Sequence, residues 1–395
     1  MYKAQTIQQH FQVDYQYPVV FTRNIFYPSN LELINIIKSG ASKAVLVIEN
    51  AIYIANPELL QEINYYFKHH EFSCQVLLMQ GGEGIKNDPS RIEEVLTFLD
   101  THQIDRHSYL IAVGGGALLD AVGYAGAIAH RGIRLIRVPT TVLSQNDSGV
   151  GVKNSVNYFG KKNFLGTFSP PYAVINDSVF LESLDGRNWR SGIAEAVKVA
   201  LIKDEVFFDW ITENIEELNN RDMGVMEQLI FRCAQLHVAH IGTAGDPFEK
   251  GSSRPLDFGH WAAHKLEYLS GYQLLHGEAV AIGIALDTVY SGLSGKLNSQ
   301  SVSRVLHSLA ALGFEVFHPM LLADGGLEIK PQLFRGLEEF REHLGGELTI
   351  MLLAEIGRGE EVHEMHQHLL SDAAQYLLKF QSQVKEAPVL IPQMV

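Results

Sequence analysis

Cysteine is almost absent from this chain, which has only two in 395 residues. Cys74 and Cys233 are far apart in sequence and are not spaced like metal-ligand pairs. The sequence therefore supports neither a disulfide framework nor a thiolate zinc site. This cysteine usage fits a reducing compartment, and we expect a cytoplasmic protein.

Basic charge and long hydrophobic runs are also scarce. The 31 basic residues are outnumbered by 45 acidic ones, which gives a formal net charge of −14. A chain this acidic is repelled by phosphate backbones and anionic lipid surfaces. The most apolar stretch, 109–129, is interrupted by glycines and by Asp120, and the first residues are polar. We therefore expect no nucleic-acid partner, no membrane span and no export signal.

Hydrophobic residues make up 46% of the chain, and the length suggests two to three domains at roughly 150 residues each. Short apolar runs alternate with helical patterns in the first half, as in buried parallel strands. The runs are 44–48, 74–79, 110–113, 135–138 and 173–175. Helix start signals lie between them, such as Asp88 followed by Pro89. This order predicts a doubly wound α/β sheet of the nucleotide-binding type.

Beyond about residue 180 the apolar residues recur at helical spacing, for instance over 193–210, 226–240 and 259–294. We therefore predict an α/β domain over 1–178 and a mostly helical domain over 179–395. One β-prone segment, 348–353, lies late in the chain, and the tail 387–395 is predicted to be extended.

Gly114-Gly115-Gly116 follows the run 110–113 and precedes a helix. Such a turn lets the backbone approach a pyrophosphate and offers it helix N-terminal amides. By spacing alone, a tight turn without a ligand is the favoured explanation, since the triplet is not the G-x-G-x-x-G fingerprint, and only its position after a central strand supports a ligand. Glu49, at the end of the first run, could accept hydrogen bonds from ribose hydroxyls, with Thr140 and Thr141 nearby, or these residues could be a strand-end cap and a turn.

Residues 147–166 concentrate glycines, lysines and amides in what we predict to be a loop of an otherwise acidic protein. This local reversal of charge favours a phosphate-bearing substrate. The alternative is a solvated connection with no ligand.

His260 and His276, together with Glu195, could form a zinc site with two imidazoles and one carboxylate, which leaves room for substrate oxygens. His260 and His264 are four residues apart on a helix and could instead be the metal pair, or His264 could be a general acid or base. With 17 histidines in the chain, a group of histidines inside a helical core also stays open.

Taken together, ordered motifs from about residue 40 to about 350 resemble the 3-dehydroquinate synthase superfamily of sugar phosphate cyclases. They are Gly114-Gly115-Gly116 with Asp120, His130-Arg131-Gly132, Pro139-Thr140-Thr141, residues 147–153, Lys162-Asn163, residues 192–198, Gly259-His260 and residues 275–278.

This resemblance implies an N-terminal Rossmann-like NAD-binding domain, a C-terminal helical metal-binding domain and a homodimer. It places zinc or cobalt on Glu195, His260 and His276. It places NAD on Glu49, Glu83, Lys86, Gly115, Gly116, Asp120, Thr140, Thr141, Lys153, Lys162 and Ser183. Substrate and phosphate contacts are implied for Arg131, Asp147, Lys153, Asn163, Lys198 and His264.

The sequence departs from dehydroquinate synthases just before His260. Those enzymes typically have an Arg-x-x-Leu-Asn-x-Gly-His run, whose arginine helps to hold the substrate carboxylate. Here Ser253 replaces the arginine and Asp257 replaces the asparagine. A carboxylate at Asp257 would repel a substrate carboxylate, which favours a neutral polyol end.

The late Asp-Lys-Lys element of dehydroquinate synthases is also absent, and residues 339–346 read EFREHLGG. With residues 254–261 and 246–249, this pattern looks like the sedoheptulose 7-phosphate cyclases of the 2-epi-5-epi-valiolone synthase kind and their EboD-type relatives. The expected reaction is transient oxidation with NAD, β-elimination of phosphate, reduction and aldol closure to a valiolone-type cyclitol.

In that reaction Lys153, Asn163 and Arg131 would hold the phosphate, and His264 and Glu249 are candidates for proton transfer. One alternative is a 3-dehydroquinate synthase that binds the carboxylate differently. Another is a metal-dependent polyol dehydrogenase, whose metal site usually needs a further histidine and an aspartate and which has no use for a phosphate loop.

Overall fold

The computed structural model describes residues 5–37, 43–243, 246–250, 255–343 and 345–386. The strands are β1 (Val19–Thr22), β2 (Ala44–Glu49), β3 (Cys74–Met79), β4 (Tyr109–Gly114), β5 (Arg134–Pro139), β6 (Lys153–Tyr158), β7 (Lys161–Phe168), β8 (Ala173–Asp177), β9 (Ile350–Glu355) and β10 (Arg358–Val362). The helices of the first half are α1 (Glu32–Ile36), α2 (Asn50–Ala55), α3 (Leu59–His69), α4 (Gly84–Asn87), α5 (Pro89–Thr101) and α6 (Gly116–Ile128). Those of the second half are α7 (Gly186–Lys203), α8 (Glu205–Glu213), α9 (Ile215–Asn219), α10 (Met223–Thr243), α11 (His260–Leu269), α12 (His276–Leu293), α13 (Ser299–Ala311), α14 (Pro331–His343) and α15 (Gln367–Glu386).

Six strands form one sheet in the order β1-β8-β5-β4-β2-β3, and every neighbouring pair is parallel. Alternate residues of the central strands enter two separate apolar cores. On β2, for example, Leu46 and Ile48 pack with α3, whereas Val45 and Val47 pack with α5 and α6. Because both faces of the sheet are buried, its strands are continuous apolar runs, and the predicted doubly wound α/β class is confirmed.

Besides β6 and β7, the strands β1 and β10 escaped the sequence analysis. β1 has four residues, lies at the sheet edge beside β8 and is only partly buried, so its apolar signal is weak. β10 is polar and mostly exposed, and it pairs with β9, which confirms the late β-prone segment. Short edge strands bury too little side-chain surface to leave a clear pattern.

The predicted loop over 147–166 is wrong for most of its length. Residues 153–168 form an antiparallel hairpin, β6 and β7, joined by a tight turn in which Phe159 and Gly160 both have positive φ. The polar residues that suggested a loop are buried in β6, where they hydrogen-bond to neighbouring elements. Polarity misled the prediction because these amides find partners inside the protein.

The second half of the described chain is helical apart from β9 and β10. α7 and α12 are buried along most of their lengths and lie against each other at its centre. The predicted helix over 193–210 is interrupted because Asp204 caps α8 through the Phe207 amide. The predicted helix over 259–294 is interrupted after α11, where Gly271 and Tyr272 have positive φ. Among the described helices, none has the length and apolarity that a membrane crossing needs. The tail 387–395 lies outside the described residues.

Candidate active site

Three metal-ligand candidates from separate helices meet between α7, α11 and α12. Glu195 Oε1 lies 3.4 Å from His260 Nε2 and 3.2 Å from His276 Nε2. The three residues each offer one ligand atom, and these three atoms lie within 4.8 Å of one another. α12 can approach α7 this closely because residue 277 is glycine. A Cβ added at this position would lie 1.9 Å from the Ser191 carbonyl oxygen. Helix packing therefore assembles the group that the sequence analysis named.

The two imidazoles are oriented by hydrogen bonds through their other nitrogens. His260 Nδ1 lies 3.1 Å from the Phe258 carbonyl oxygen, and His276 Nδ1 lies 3.1 Å from Glu267 Oε2. If Nδ1 donates in each ring, the Nε2 atoms that face Glu195 Oε1 are left to bind a cation. Metal-binding histidines are commonly held in this way.

The donor set fits a divalent ion. Glu195 is fully buried, and neither of its oxygens accepts a hydrogen bond of good geometry, although Lys198 Nζ lies 2.5 Å from Oε2. A second group, His264 with Glu267 and His276, also has ligand atoms within 4.8 Å. Lys162 Nζ, however, lies 2.8 and 2.9 Å from the two oxygens of Glu267. Both oxygens of Glu267 are thus occupied by one ammonium, whereas Lys198 lies against only Oε2 of Glu195 and leaves Oε1 facing the two histidines. The first group is therefore the better metal site.

A chain of charges extends from this group into the protein. Lys198 Nζ lies 3.6 Å from Asp147 Oδ1, and Asp147 Oδ1 lies 2.8 Å from His237 Nδ1. Burial raises the pKa of the Asp147 carboxyl, but the Lys198 ammonium and His237 outweigh it and hold the pKa at about 2. Burial disfavours the ammonium of Lys198, yet Asp147 and Glu195 raise its pKa above the usual value. Lys198 is therefore a permanent cation beside the candidate metal ligands.

Burial and the neighbouring Lys162 hold the pKa of His264 well below its usual value, so this imidazole is neutral. Its ring stacks on that of His276 with centroids 5.9 Å apart. The structure thus places His264 directly beside the ligand group, in agreement with its predicted position at the site.

The predicted cofactor residues Glu49, Gly115, Gly116, Thr140 and Thr141 lie together where β2, β4 and β5 end. The Gly115 amide donates to Glu49 Oε2 over 2.8 Å, and burial raises the pKa of this carboxyl despite that bond. The buried Thr140 Oγ1 has no hydrogen-bond partner among the described residues. A ligand hydroxyl or phosphate at this edge of the sheet would satisfy such groups.

Lys86, Asp120 and Asn163 form a second polar cluster next to the hairpin. Lys86 Nζ lies 2.6 Å from Asp120 Oδ2 and 2.5 Å from Asn163 Oδ1. Asn163 adopts a positive φ of 56°, and its backbone N–H donates to Asn157 Oδ1. The side-chain Nδ2 of Asn157 in turn donates to Glu83 Oε1 over 3.2 Å. The hairpin therefore connects Asn163 with three of the predicted cofactor residues.

Lys153 begins the hairpin, and its Nζ lies 2.5 Å from Glu249 Oε1. The fully buried Arg137 fixes the backbone of this segment, since its guanidinium donates to the carbonyl oxygens of Gly149, Gly151 and Lys153. The sequence analysis did not identify Arg137, because an arginine within a strand carries no motif.

Two further predicted site residues lie at opposite ends of the parallel strands, Ser183 near their carboxyl ends and Arg131 at their amino ends. Ser183 Oγ donates to the Phe180 carbonyl, and its side chain lines a cavity of about 730 Å³ beside the end of β8. Arg131 lies between α6 and β5, at the amino ends of the strands, whereas the glycine turn lies at their carboxyl ends. Within one chain the structure therefore separates Arg131 from the ligand group. Ser253, the substitution noted beside Asp257, lies outside the described residues.

Two further residues of the site were missed. Glu267 follows His260 by seven residues and His264 by three, so helical periodicity could have placed all three on one face of α11. His237, the partner of Asp147, gave no such signal among 17 histidines.

A buried group of two histidines and a glutamate, beside a parallel sheet with a glycine turn, defines the class of metal- and nucleotide-assisted enzymes. Comparisons with known proteins specify the family. The family model for the 3-dehydroquinate synthase N-terminal region matches residues 76–191, and the model for the C-terminal region matches residues 192–329.

Individual relatives agree with the family match. The chain is 34% identical to the 3-dehydroquinate synthase of Nitrosospira multiformis over 343 residues, which cover 87% of this chain and 89% of the relative. It is 31% identical to that of Psychrobacter cryohalolentis over 359 residues, or 91% and 94% of the two chains. The solved 2-epi-5-epi-valiolone synthase ValA of Streptomyces hygroscopicus has a TM-score of 0.86 at 27% identity and covers 95% of this chain and 100% of its own. This chain belongs to the 3-dehydroquinate synthase family of sugar phosphate cyclases, and it is an enzyme of the lyase type.

Proposed function

We propose that the enzyme cyclises a neutral ketose phosphate, sedoheptulose 7-phosphate, to a valiolone-type cyclitol. The observation that carries this proposal is the position of Asp257. This carboxylate lies close enough to Lys198 to raise its pKa together with Asp147 and Glu195. Asp147 and Glu195 already pair with this ammonium at 3.6 and 2.5 Å, and Asp257, in a short turn packed against α7, adds a further negative charge.

The electrostatic argument concerns discrimination between two substrates. A substrate carboxylate brought beside Asp257 would meet repulsion that grows as water is excluded. A polyol end would instead donate hydrogen bonds to the same carboxylates. The structural similarity to ValA, described with bound NAD⁺ and Zn²⁺, supports the same assignment.

We assign a divalent metal, zinc or cobalt, to Glu195, His260 and His276, and NAD to the residues at the carboxyl ends of β2, β4 and β5. When bound, the metal polarises neighbouring substrate oxygens and NAD takes up a hydride and later returns it. Gly115 and Gly116 offer backbone amides to the pyrophosphate, and Glu49 is placed to accept from ribose hydroxyls.

The chain's own residues supply positioning and proton transfer. Lys153 and Asn163 bind the leaving phosphate, and Lys198 stabilises negative charge on the substrate beside the ligand group. His264 takes or gives a proton near the ligands, and Glu249, held by Lys153, serves the ring opening and aldol closure. Arg131 stays a predicted phosphate contact without support from its position in a single chain.

The test is phosphate release by the purified protein with NAD and either Zn²⁺ or Co²⁺. Sedoheptulose 7-phosphate and the carboxylated heptulosonate phosphate of dehydroquinate synthases are supplied separately, and products are identified by NMR. We expect release from the neutral sugar only. Release from the carboxylated sugar alone would overturn the assignment.

Asp257→Asn sharpens the same test. Loss of the carboxylate should raise kcat/KM for the carboxylated substrate by about tenfold, as expected for removing one close repulsion. Asp324→Asn removes an equal charge from an exposed surface position and serves as the control. Equal effects of the two substitutions would show that Asp257 does not discriminate.

A true 3-dehydroquinate synthase is the second candidate, and the names of the curated relatives favour it. A polyol dehydrogenase is the third, which the oxidation of sedoheptulose without phosphate release would reveal. We further propose a homodimer, which the family resemblance supports, and a cytoplasmic location, which the scarcity of cysteine supports. We also propose two domains over 1–178 and 179–395, since β8, the last strand of the parallel sheet, ends at Asp177.

A further inference from the structure

Glu267 is a buried carboxylate of α11 that joins the two parts of the site. Its side chain is only 5% exposed, and both of its oxygens lie within 2.9 Å of Lys162 Nζ. One of them, Oε2, also lies 3.1 Å from His276 Nδ1. A single carboxylate therefore contacts a lysine of the hairpin and a histidine of the ligand group.

The contact with His276 fixes the chemistry of that imidazole. A carboxylate beside Nδ1 keeps the proton there and leaves the Nε2 lone pair facing Glu195 Oε1, 3.2 Å away. Without the carboxylate, the ring could rotate or carry its proton on Nε2. Either change removes a ligand from the metal group.

The contact with Lys162 holds the hairpin against α11. Lys162 is adjacent to Asn163, whose side chain is bonded to Lys86 in the polar cluster of the cofactor side. Burial disfavours the Lys162 ammonium, but Glu267 and Glu83 outweigh it and raise the pKa of this lysine. The ion pair thus stays charged and keeps its position at neutral pH.

We propose that Glu267 is a positioning residue that couples the binding of the metal to the binding of NAD. It acts through its simultaneous contacts with His276 and Lys162. The inference depends on the proposed function, because it takes His276 as a metal ligand and Lys162 as part of the NAD side. By linkage, each of the two bound groups then raises the affinity for the other by the same factor.

The experiment measures binding without substrate. Co²⁺ affinity of the metal-free protein is determined by chelator competition, with and without saturating NAD, and the visible absorption of bound Co²⁺ reports its ligands. In the natural protein we expect NAD to raise Co²⁺ affinity roughly 5-fold or more. Glu267→Gln should lower Co²⁺ affinity roughly 10- to 100-fold, change the Co²⁺ spectrum and reduce the effect of NAD to nearly nothing.

Glu339→Gln is the matched control, since Glu339 forms an exposed ion pair with Lys265 on the same helix α11. It should leave Co²⁺ affinity and the spectrum unchanged. Lys162→Met keeps the contact between Glu267 and His276, so without NAD it should keep Co²⁺ affinity within about threefold. At an NAD concentration shown by direct titration to saturate this variant, the effect of NAD on Co²⁺ affinity should still be lost. This variant carries the test if Glu267→Gln does not fold.

The outcomes separate the two proposals. A natural protein that binds neither Co²⁺ nor NAD refutes the proposed function. A natural protein that binds both, with an unchanged spectrum and affinity in Glu267→Gln or an unchanged effect of NAD in Lys162→Met, refutes only the role of Glu267. Equal losses in Glu267→Gln and Glu339→Gln also refute it.

Discussion

The two sides of the active site offer different kinds of groups to a ligand. On the sheet side, the residues beside the glycine turn lie at strand ends, and the groups that they offer to a ligand are backbone amides and the Glu49 carboxylate, while the buried Lys86 forms a separate ion pair with Asp120 next to the hairpin. On the helical side, charged side chains project from the buried helices α7, α11 and α12. Ligand binding beside the glycine turn therefore depends on how closely the ligand can approach the backbone. On the helical side, the geometry of the ligand group depends on buried charges that neutralise one another.

This difference predicts where a single substitution does most harm. Removing one member of a buried charge group leaves its partners uncompensated and expensive to keep out of water. A glycine-to-alanine substitution at a strand end on the sheet side instead displaces one neighbouring side chain and leaves no buried charge without a partner. We therefore expect the largest losses on the helical side.

Glu195→Gln should have the largest effect. Gln cannot supply a charged ligand to the metal, so we expect a loss of about 10²–10³-fold or more in kcat and no rise in Tm on adding Zn²⁺. Phosphate release and thermal unfolding with and without Zn²⁺ measure both. The exposed pair of Arg23 and Glu182 supplies the control Glu182→Gln, which should behave like the natural protein. An unchanged response to Zn²⁺ in Glu195→Gln would place the metal elsewhere.

Arg137→Met removes a fully buried charge on the sheet side and so tests whether buried charges matter there as well. Its loss leaves three carbonyl oxygens and Asn154 Oδ1 without their donor, and we expect a fall of about 3–5 kcal/mol in the free energy of unfolding. Urea unfolding measures it. Arg358→Met, which breaks only an exposed pair with Glu355, should change stability by less than about 1 kcal/mol. Similar losses in both variants would contradict the argument.

Asp287 gives the helical side a dependence on pH. This α12 carboxyl accepts hydrogen bonds from the Gly259 amide and Trp261 Nε1, and burial raises its pKa to about 7. Because the folded pKa lies above the ordinary aspartate value of 3.8, the folded state holds the proton more tightly and stability falls as pH rises from about 4 to about 7.

Asp287→Asn should remove this contribution. The difference between the unfolding free energies at pH 5 and pH 8 should shrink by about 2–3 kcal/mol, since two pH units below the folded pKa correspond to that amount. Urea titrations at the two pH values measure it, and the exposed Asp372→Asn is the control. A pH dependence that persists in Asp287→Asn would assign it to another group.

Gly81→Ala should have the smallest effect and should act on the sheet side alone. The new Cβ would lie 1.9 Å from Glu49 Oε1 and push this carboxylate away from the Gly115 amide. We expect roughly tenfold weaker NAD binding, equivalent to one lost hydrogen bond, with unchanged affinity for Co²⁺. Gly84→Ala, in the same segment, meets no atom within 4 Å and should bind NAD normally. Equal affinities for NAD would remove Glu49 from the cofactor site.

Local patterns were sufficient for the framework of the site. The apolar runs predicted the strands β2, β3, β4, β5 and β8, and the glycine turn after β4 lies where it was expected. They failed for the hairpin, because Asn154 and Asn157 are polar in sequence yet buried and hydrogen-bonded in the fold. Amide-rich segments read as loops unless their partners are known.

By itself the sequence determined the α/β class, the helical second half, and the residue types of the ligand group, because strand and helix periods and short motifs are local properties. Only the tertiary structure decided which charges share a partner. Lys162 and Glu267 are 105 positions apart, and Glu267 reaches His276 only because α11 and α12 pack side by side. It also placed Arg131 at the opposite end of the strands from the glycine turn, since α6 runs back along the sheet. Such relations arise from packing over the whole chain, and no short segment contains them.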